Sequence, residues 1–215
     1  MLTVLTDIPS IANQFLMELR SKSIQKDRMR FRRNLERIGE ILAVEISKTL
    51  EYVEEDVETS LGISHSYVLA EQPVIGTIIR SGLPMHQGML NIFDGADSAF
   101  IAAYRKIKKS GAFEIRRDYM SLPNLDNKTL IICDPLVATG ESMVLACKEI
   151  LALYDIKELH IAIAIASEEG LSHLRAYLPK AYLWVGDVDA ELTSKSFIVP
   201  GLGDVGDLSF GEKNE

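Results

Sequence analysis

Cysteine is scarce in this chain, with two among 215 residues, Cys133 and Cys147. Both sit inside apolar periodic runs, so they build neither a disulfide framework nor a thiolate metal site, and a reduced, cytoplasmic setting is the expectation. Histidine is thin as well. His65, His86, His160 and His173 show no zinc-type spacing against Cys, Asp or Glu and no Ser/His/Asp order. They read as structural or solvated, with His86 alone near a candidate site. No apolar run reaches the length of a membrane span, and the N-terminus lacks a signal-peptide pattern, so no membrane partner is expected. Positive charge is in deficit: Lys+Arg 23 against Asp+Glu 31 gives a net charge of -8. That balance argues against a nucleic-acid partner, whose binding rests on neutralising phosphates, but leaves room for a local basic pocket. A Walker Gly-x4-Gly-Lys-Ser/Thr loop is missing, as are internal repeats and low-complexity blocks.

What is present is an ordinary globular composition on a chain long enough for one substantial core, read as a single domain over 1–215. Ser10 is placed to cap a helix to about Arg20, with Ile11, Phe15, Leu16 and Leu19 on one face. A longer helical pattern runs from about Lys26 to Tyr52 through Phe31, Leu35, Ile38, Ile41, Leu42 and Ile46, so residues 1–60 read as N-terminal helices. Arg28, Arg30, Arg32, Arg33 and Arg37 decorate it, as a solvated or subunit-facing surface more than a ligand site. From Val74 onward strands and helices alternate. The strands are Val74–Ile79, Ala99–Tyr104, Thr129–Cys133, Leu159–Ala166 and Ala181–Val185; the helices are Leu83–Phe93, Met143–Leu153 and Glu168–Tyr177. That order implies an α/β fold, a mainly parallel sheet flanked by helices, whose ligands gather at the carboxyl ends of the strands. Residues 106–127, with Gly111, Pro123, Lys106, Lys108, Lys109, Arg116 and Arg117, fit neither pattern and read as a projecting arm or flap.

Candidate chemistry lies just past the strand ends. The run Ile131-Ile132-Cys133-Asp134-Pro135-Leu136-Val137-Ala138-Thr139-Gly140-Glu141-Ser142 joins a buried strand to a helix through a small-residue turn, with Ser142 as the polar residue able to cap that helix. Such a turn aims backbone N–H groups and a helix dipole at one point, where an anion is stabilised. Arg80, in Arg80-Ser81-Gly82-Leu83-Pro84, and Arg105, after Tyr104, end two other strands. An arginine fork there suits phosphate oxygens, and two of them beside a phosphate cradle suit a ligand phosphorylated at both ends. The late run from Phe197 to Asp207 contains a formal Gly-x-Gly-x-x-Gly, but only nine residues remain after Gly206, too few for the helix and strand a dinucleotide fold requires. It reads as a hood, residues 187–215, that folds over a pocket and offers backbone groups to a small polar ligand.

Four motifs together resemble the uracil phosphoribosyltransferase family: Ile79-Arg80-Ser81-Gly82-Leu83; Tyr104-Arg105; Asp134-Pro135-Leu136-Val137-Ala138-Thr139-Gly140-Glu141-Ser142; and Ile198-Val199-Pro200-Gly201-Leu202-Gly203-Asp204-Val205-Gly206-Asp207 with Phe210-Gly211. Order and spacing agree over roughly residues 74 to 211. The third motif is shared loosely with other phosphoribosyltransferases, whereas the Pro-Gly-Leu-Gly-Asp run is specific to the uracil branch. The resemblance implies transfer of ribose 5-phosphate from phosphoribosyl pyrophosphate to uracil, giving UMP and pyrophosphate, with Mg²⁺ bound mainly through the pyrophosphate. It further implies that residues 134–142 and Asp204 bind phosphoribosyl pyrophosphate, with Ala138 to Ser142 on the 5-phosphate. Arg80 and Arg105 would grip the pyrophosphate, and Asp134 would lie near the ribose hydroxyls. Asp204 would stand near the reacting centre or its magnesium, and Ala138, Ile198, Gly203, Asp204 and Val205 would read uracil. Asp204, Asp134 and Arg105 are the catalytic candidates. A homodimer or larger assembly and a GTP-type allosteric effector complete the implied partners.

The chain departs from that family at several positions. Glu141 stands where Gly is usual, and an outward side chain would leave the N–H cradle intact. Phe197 replaces Tyr, Ser196 and Thr193 stand where Gly and Asn are common, Gln87 replaces Asp, and the flap is basic where the family is acidic. Two alternatives therefore stand beside the enzyme: a catalytically weak regulatory or nucleotide-binding protein of the same fold, and a phosphoribosyltransferase for another base.

Overall fold

The computed structural model describes residues 1–107 and 113–212, and the side chains of these outside 103–118. The sequence from Val74 builds the strand–helix alternation that its patterning requires. In chain order the elements are β1 (Leu2–Val4), α1 (Ile11–Arg20), α2 (Arg28–Ser47), β2 (Tyr52–Thr59), β3 (Gly62–Leu69), β4 (Val74–Ile79), α3 (Leu83–Leu90), β5 (Asp97–Ile107) and β6 (Phe113–Ser121). Then follow β7 (Thr129–Val137), α4 (Glu141–Leu153), β8 (Glu158–Ser167), α5 (Glu168–Tyr177), β9 (Tyr182–Asp189), β10 (Glu191–Leu192), β11 (Ile198–Val199) and α6 (Val205–Phe210). Seven strands form one sheet in the order β1-β9-β8-β7-β4-β5-β6. Every neighbouring pair is parallel except β5 with β6. The fold is thus α/β with a mostly parallel sheet, as the βα order implies.

Both faces of the sheet are covered, and alternate side chains of each central strand go to opposite layers. Leu130 and Ile132 of β7 and Ile161 and Ile163 of β8 join the layer of α4 and α5. Ile131 and Cys133, with the small Ala162 and Ala164, face α1, α2 and α3 through Leu19, Leu35, Ile38, Leu42, Met85 and Met89. On that side Trp184 of β9 is 3% exposed and donates its indole N–H to Nδ1 of the buried His160 at 3.1 Å. Accepting at Nδ1 keeps His160 neutral, and burial lowers its pKa.

The N-terminal helices are capped and stapled. Ser10 Oγ accepts from Ala12 N (3.2 Å) while Asn13 Oδ1 accepts from Ser10 N (2.8 Å), a capping box. Asp27 Oδ1 caps α2 by accepting from Arg30 N at 3.0 Å. The buried face of α1 is Ala12, Leu16 and Leu19; Ile11, read as part of that face, is exposed. Buried Glu18 joins the two helices, accepting from Arg30 Nε (2.8 Å) and Nη2 (2.7 Å), Asn34 Nδ2 (2.7 Å) and Gln14 Nε2 (3.0 Å). The Arg30 contact, with Asn34 and Gln14, holds the Glu18 carboxyl down at about 2. Arg37 donates to Asn34 Oδ1 (3.0 Å) and lies over the Phe15 ring. Arg30 and Arg37 therefore staple the helices together, and Arg30 does so while remaining exposed, as a solvated or subunit-facing surface residue would.

Three boundaries depart from the sequence reading. Helix α2 ends at Ser47, and residues 52–69 form the antiparallel hairpin β2–β3, not the tail of a helix. Valine, threonine and tyrosine alternating with acidic residues are strand formers, which propensity favours once the α2 core stripe stops at Ile46. Helix α4 starts at Glu141 with Gly140 as its N-cap, so Ser142 lies in the first turn and does not cap it. Within the segment read as an arm, β6 pairs with β5 as the sheet edge, and the chain then returns to the body with Leu125 fully buried. The arm's basic side chains, Lys106, Lys108, Lys109, Arg116 and Arg117, lie outside the described side chains.

Candidate active site

Adjacent strands β7 and β4 end beside one another in the parallel sheet, and their carboxyl-terminal loops meet. Thr77 Oγ1 donates to the Cys133 carbonyl at 3.2 Å, fixing β4 against β7 shortly before β4 ends at Ile79, while β7 continues to Val137. Beyond it, Ser81 hydrogen-bonds the half-buried Asp134 carboxylate. Burial pushes the Asp134 carboxyl up to about 7, against the opposing pull of the Leu136 backbone N–H and Ser81. An acid in that range is shared between its protonated and ionised forms near neutral pH, and a neighbouring cation or hydroxyl donor would shift it to the carboxylate.

The turn after β7 is a tight, backbone-built concavity. Gly140 has φ 78 and starts α4, so the amide groups at the helix start have no intrahelical acceptor and point at one spot. Two constraints make residue 140 a glycine. The φ disfavours L side chains, and an added Cβ would lie 2.9 Å from the Gly170 carbonyl oxygen. Helix α5 supports the turn from behind: Ser167 Oγ donates to the Ala138 carbonyl and accepts from Gly170 N at 2.8 Å. Asp134, Leu136, Val137, Ala138, Gly140, Ser142 and Met143 line a cavity of about 110 Å³ here. Glu141 is exposed and is not among the lining residues.

The hood is assembled from β10, β11, α6 and the loops between them. Asp204 Oδ1 caps α6 by accepting from Asp207 N at 2.9 Å. Val205 is buried in the α1–α2–α3 layer, Ile198 packs against that layer, and Gly203 has φ 93. Asp204 and Gly203 line a second opening of about 440 Å³ together with Gln25, Lys26 and Arg28. Among the described residues the turn after β7 and the hood thus line two different openings. Arg80 connects the two regions: it leaves the β4 end and reaches Asp207 of α6. Arg105 stands near the carboxyl end of β5, opposite Ile115 of β6; its side chain lies outside the described set.

Sequence reasoning missed the clamp that fixes the hood. Arg20, the last residue of α1, donates through Nη1 to Asp189 Oδ2 (2.9 Å) and the Gly201 carbonyl (3.0 Å). Through Nη2 it donates to Asp187 Oδ2 (2.8 Å) and Asp189 Oδ1 (2.8 Å). Asp189 Oδ2 also accepts from Gly201 N at 2.9 Å, so both backbone groups of Gly201 are held by one ion pair. Asp187 and Asp189 lie at the end of β9, and the arginine that pairs with them is 167 and 169 residues away, beyond any local pattern. Ser167 and Gly170 were also missed, because their role is to brace a loop that folds onto them. Among the described residues no group of three or more His, Cys, Asp and Glu is placed to hold a metal ion, and no helix is long and apolar enough to cross a membrane.

A family model described as uracil phosphoribosyltransferase matches residues 9–212. A uracil phosphoribosyltransferase of Porphyromonas gingivalis is 45% identical over 205 residues, covering 95% of this chain and 95% of that protein. One of Thermococcus gammatolerans is 34% identical, covering 92% and 88%. Among solved structures, a protein from Aquifex aeolicus superposes with a TM-score of 0.87 at 28% identity, over 98% of each chain.

Proposed function

The chain belongs to the uracil phosphoribosyltransferase family, and on that premise we propose that it transfers the 5-phosphoribosyl group of phosphoribosyl pyrophosphate to uracil, in the cytoplasm. In that reaction the C1′–O bond breaks, the bond from C1′ to uracil N1 forms, pyrophosphate departs and the N1 proton is released. Bond cleavage places positive charge on the ribose and negative charge on the leaving group, so carboxylates on one side and arginines on the other lower the barrier. The observation that carries the reading is the Gly140 turn: a backbone N–H cradle at a strand end, beside a carboxylate and under a loop bearing Arg80.

In this reading the Ala138–Ser142 turn takes the 5-phosphate, and Asp134 faces the ribose hydroxyls. Arg80 and Arg105 take the pyrophosphate, and the backbone of Ile198, Gly203 and Val205 takes uracil, with Ala138 beside it. Asp204 stands near the reacting centre. The scattered carboxylates suit a Mg²⁺ ion carried in on the pyrophosphate, since Mg²⁺ keeps few protein ligands and prefers phosphate oxygens. Bound there, it would neutralise charge on the leaving group. The exposed position of Glu141 supports the active enzyme over the catalytically weak alternative, whose other ground, the basic flap, lies outside the described side chains.

A homodimer or larger assembly belongs to the same reading. Hairpin β2–β3 pairs only with itself among the described strands and leaves Val53, Ile63 and Tyr67 at 50%, 67% and 71% exposure. An isolated two-stranded hairpin is marginal in water, which supports a second copy covering it. Sedimentation of the purified chain tests this; a monomer at micromolar concentration would refute it.

The activity is tested by conversion of labelled uracil to UMP with phosphoribosyl pyrophosphate and Mg²⁺, beside cytosine, hypoxanthine and orotate. Turnover restricted to uracil is the expected result, and turnover of another base would overturn the hood assignment. Arg105→Ala should raise the KM for phosphoribosyl pyrophosphate far more than that for uracil. Equal losses would reject its pyrophosphate role.

A further inference from the structure

Arg80 is tied down before any ligand arrives. Its Nη2 donates to Asp207 Oδ1 at 2.5 Å and its Nη1 to the Gly211 carbonyl at 3.0 Å. The two side chains are 30% and 35% exposed. Arg80 Nε is buried and has no partner among the described residues. Gly206 lies beside this contact: a Cβ there would be 3.4 Å from Arg80 Nε and 3.2 Å from Asp204 Oδ1. The same short helix is gripped from its other side, where Arg32 Nη1 donates to the Ser209 carbonyl at 2.7 Å. Helix α6 is thus suspended between an arginine of α2 and the arginine at the end of β4.

We propose that Asp207 is a positioning residue for phosphoribosyl pyrophosphate. It fixes the Arg80 guanidinium so that the uncommitted N–H groups meet the pyrophosphate, and it thereby makes the hood part of the pyrophosphate site. The inference rests on the reading of Arg80 as a pyrophosphate ligand. A guanidinium has five N–H donors in a rigid plane. Two are spent on Asp207 and Gly211, and three remain, the buried Nε among them. The second N–H of each Nη is not used by those two contacts, and a phosphate oxygen is an acceptor for it, whereas the buried Nε lies against Gly206 of α6. Holding the fork in place removes the ordering that a free arginine would undergo on binding. Because Asp207 and the capping Asp204 share one short helix, a shift of that helix moves the fork and the hood together.

The test compares Asp207→Ala, Asp207→Asn, Arg80→Ala and the Arg80→Ala/Asp207→Ala double variant. Affinity for phosphoribosyl pyrophosphate with Mg²⁺ is read by calorimetry, and both KM values by steady-state assay. Asp207→Ala should weaken phosphoribosyl pyrophosphate about tenfold, the scale of a lost charged hydrogen bond, with a smaller change in the KM for uracil. Asp207→Asn keeps an acceptor oxygen and should recover most of the loss. The double variant should be no weaker than Arg80→Ala alone, because the two residues act as one unit. Additive losses, equal losses for both substrates, or tighter binding by Asp207→Ala would overturn the proposal; the last would make Asp207 a competitor of the ligand. If Arg80→Ala weakens binding and Asp207→Ala does not, this inference fails and the Arg80 assignment stands. If Arg80→Ala leaves affinity intact, the Arg80 assignment itself fails and this inference falls with it.

Discussion

The phosphate turn and the hood are built by opposite means. The turn is contiguous in sequence, the last residues of β7 from Asp134 to Val137 leading through Gly140 into α4, and it is shaped by one left-handed glycine and the start of a helix. Its support is the Ser167 hydroxyl, which donates to the Ala138 carbonyl and accepts from Gly170 N. The hood holds its shape by side chains drawn from far along the chain: Arg20 on Gly201, Arg32 on Ser209, Arg80 on Gly211. Each of these arginines donates to a hood carbonyl, so the hood backbone is positioned by charges that belong to the body. A site of the first kind tolerates exchange of its outward side chains and fails when its backbone is bent. A site of the second kind tolerates little at its remote anchors.

The sharpest way to break the contrast is to bend the turn. Gly140→Ala adds a Cβ against the Gly170 carbonyl at φ 78, a strain of about 1–3 kcal/mol. Binding of phosphoribosyl pyrophosphate should weaken by roughly ten- to a hundredfold by calorimetry; unchanged affinity would show that the turn yields. Next comes the hood anchor. Asp189→Ala leaves Arg20 short of its main partner and Gly201 N without an acceptor. The KM for uracil should rise about tenfold, with Tm falling by several degrees, on the scale of a broken, partly buried charge pair. The KM for phosphoribosyl pyrophosphate should move less, and a reversed order would merge the two regions into one.

A subtler effect concerns pH. The Asp134 carboxyl is raised from 3.8 to about 7, so between those values the folded state holds a proton the unfolded state has lost. Its contribution therefore favours folding at low pH and is lost as pH rises toward 7. Asp134→Asn should raise Tm of the unliganded protein by about 2–5 °C at pH 8 and leave it unchanged near pH 4. A gain of equal size at both pH values would rule the titration out. The smallest effect belongs to Glu141→Gly, which alters an exposed side chain. Affinity for phosphoribosyl pyrophosphate should change less than about twofold, within ordinary surface effects. A large gain would place that carboxylate at the phosphate after all.

What the sequence made legible follows the same division. Strands β4, β7, β8 and β9 and helices α4 and α5 came from local periodicity, because each carries its apolar pattern in consecutive residues even though its partners lie far along the chain. The phosphate turn was readable for the same reason. Hairpin β2–β3 was not: its faces are exposed, so Val53, Val57, Ile63 and Tyr67 give no core pattern to read. The arginines of α2 looked like surface charge, since nothing nearby shows that Arg30 meets a buried carboxylate or that Arg32 meets a carbonyl 177 residues on. Asp207 stood in plain view in its motif, but the contact that gives it a role spans 127 residues.

The pairing of Trp184 with His160 makes the molecule its own optical gauge. This chain has one tryptophan, on the strand that ends in Asp187 and Asp189, packed in the layer of α1 and α2 and donating to a neutral imidazole. Emission from that single indole therefore reports one place: the seam where the N-terminal helices meet the strand that anchors the hood. Loosening of that seam should shift the emission to longer wavelength as water reaches the ring, with no label attached and no second fluorophore of its kind to blur the signal.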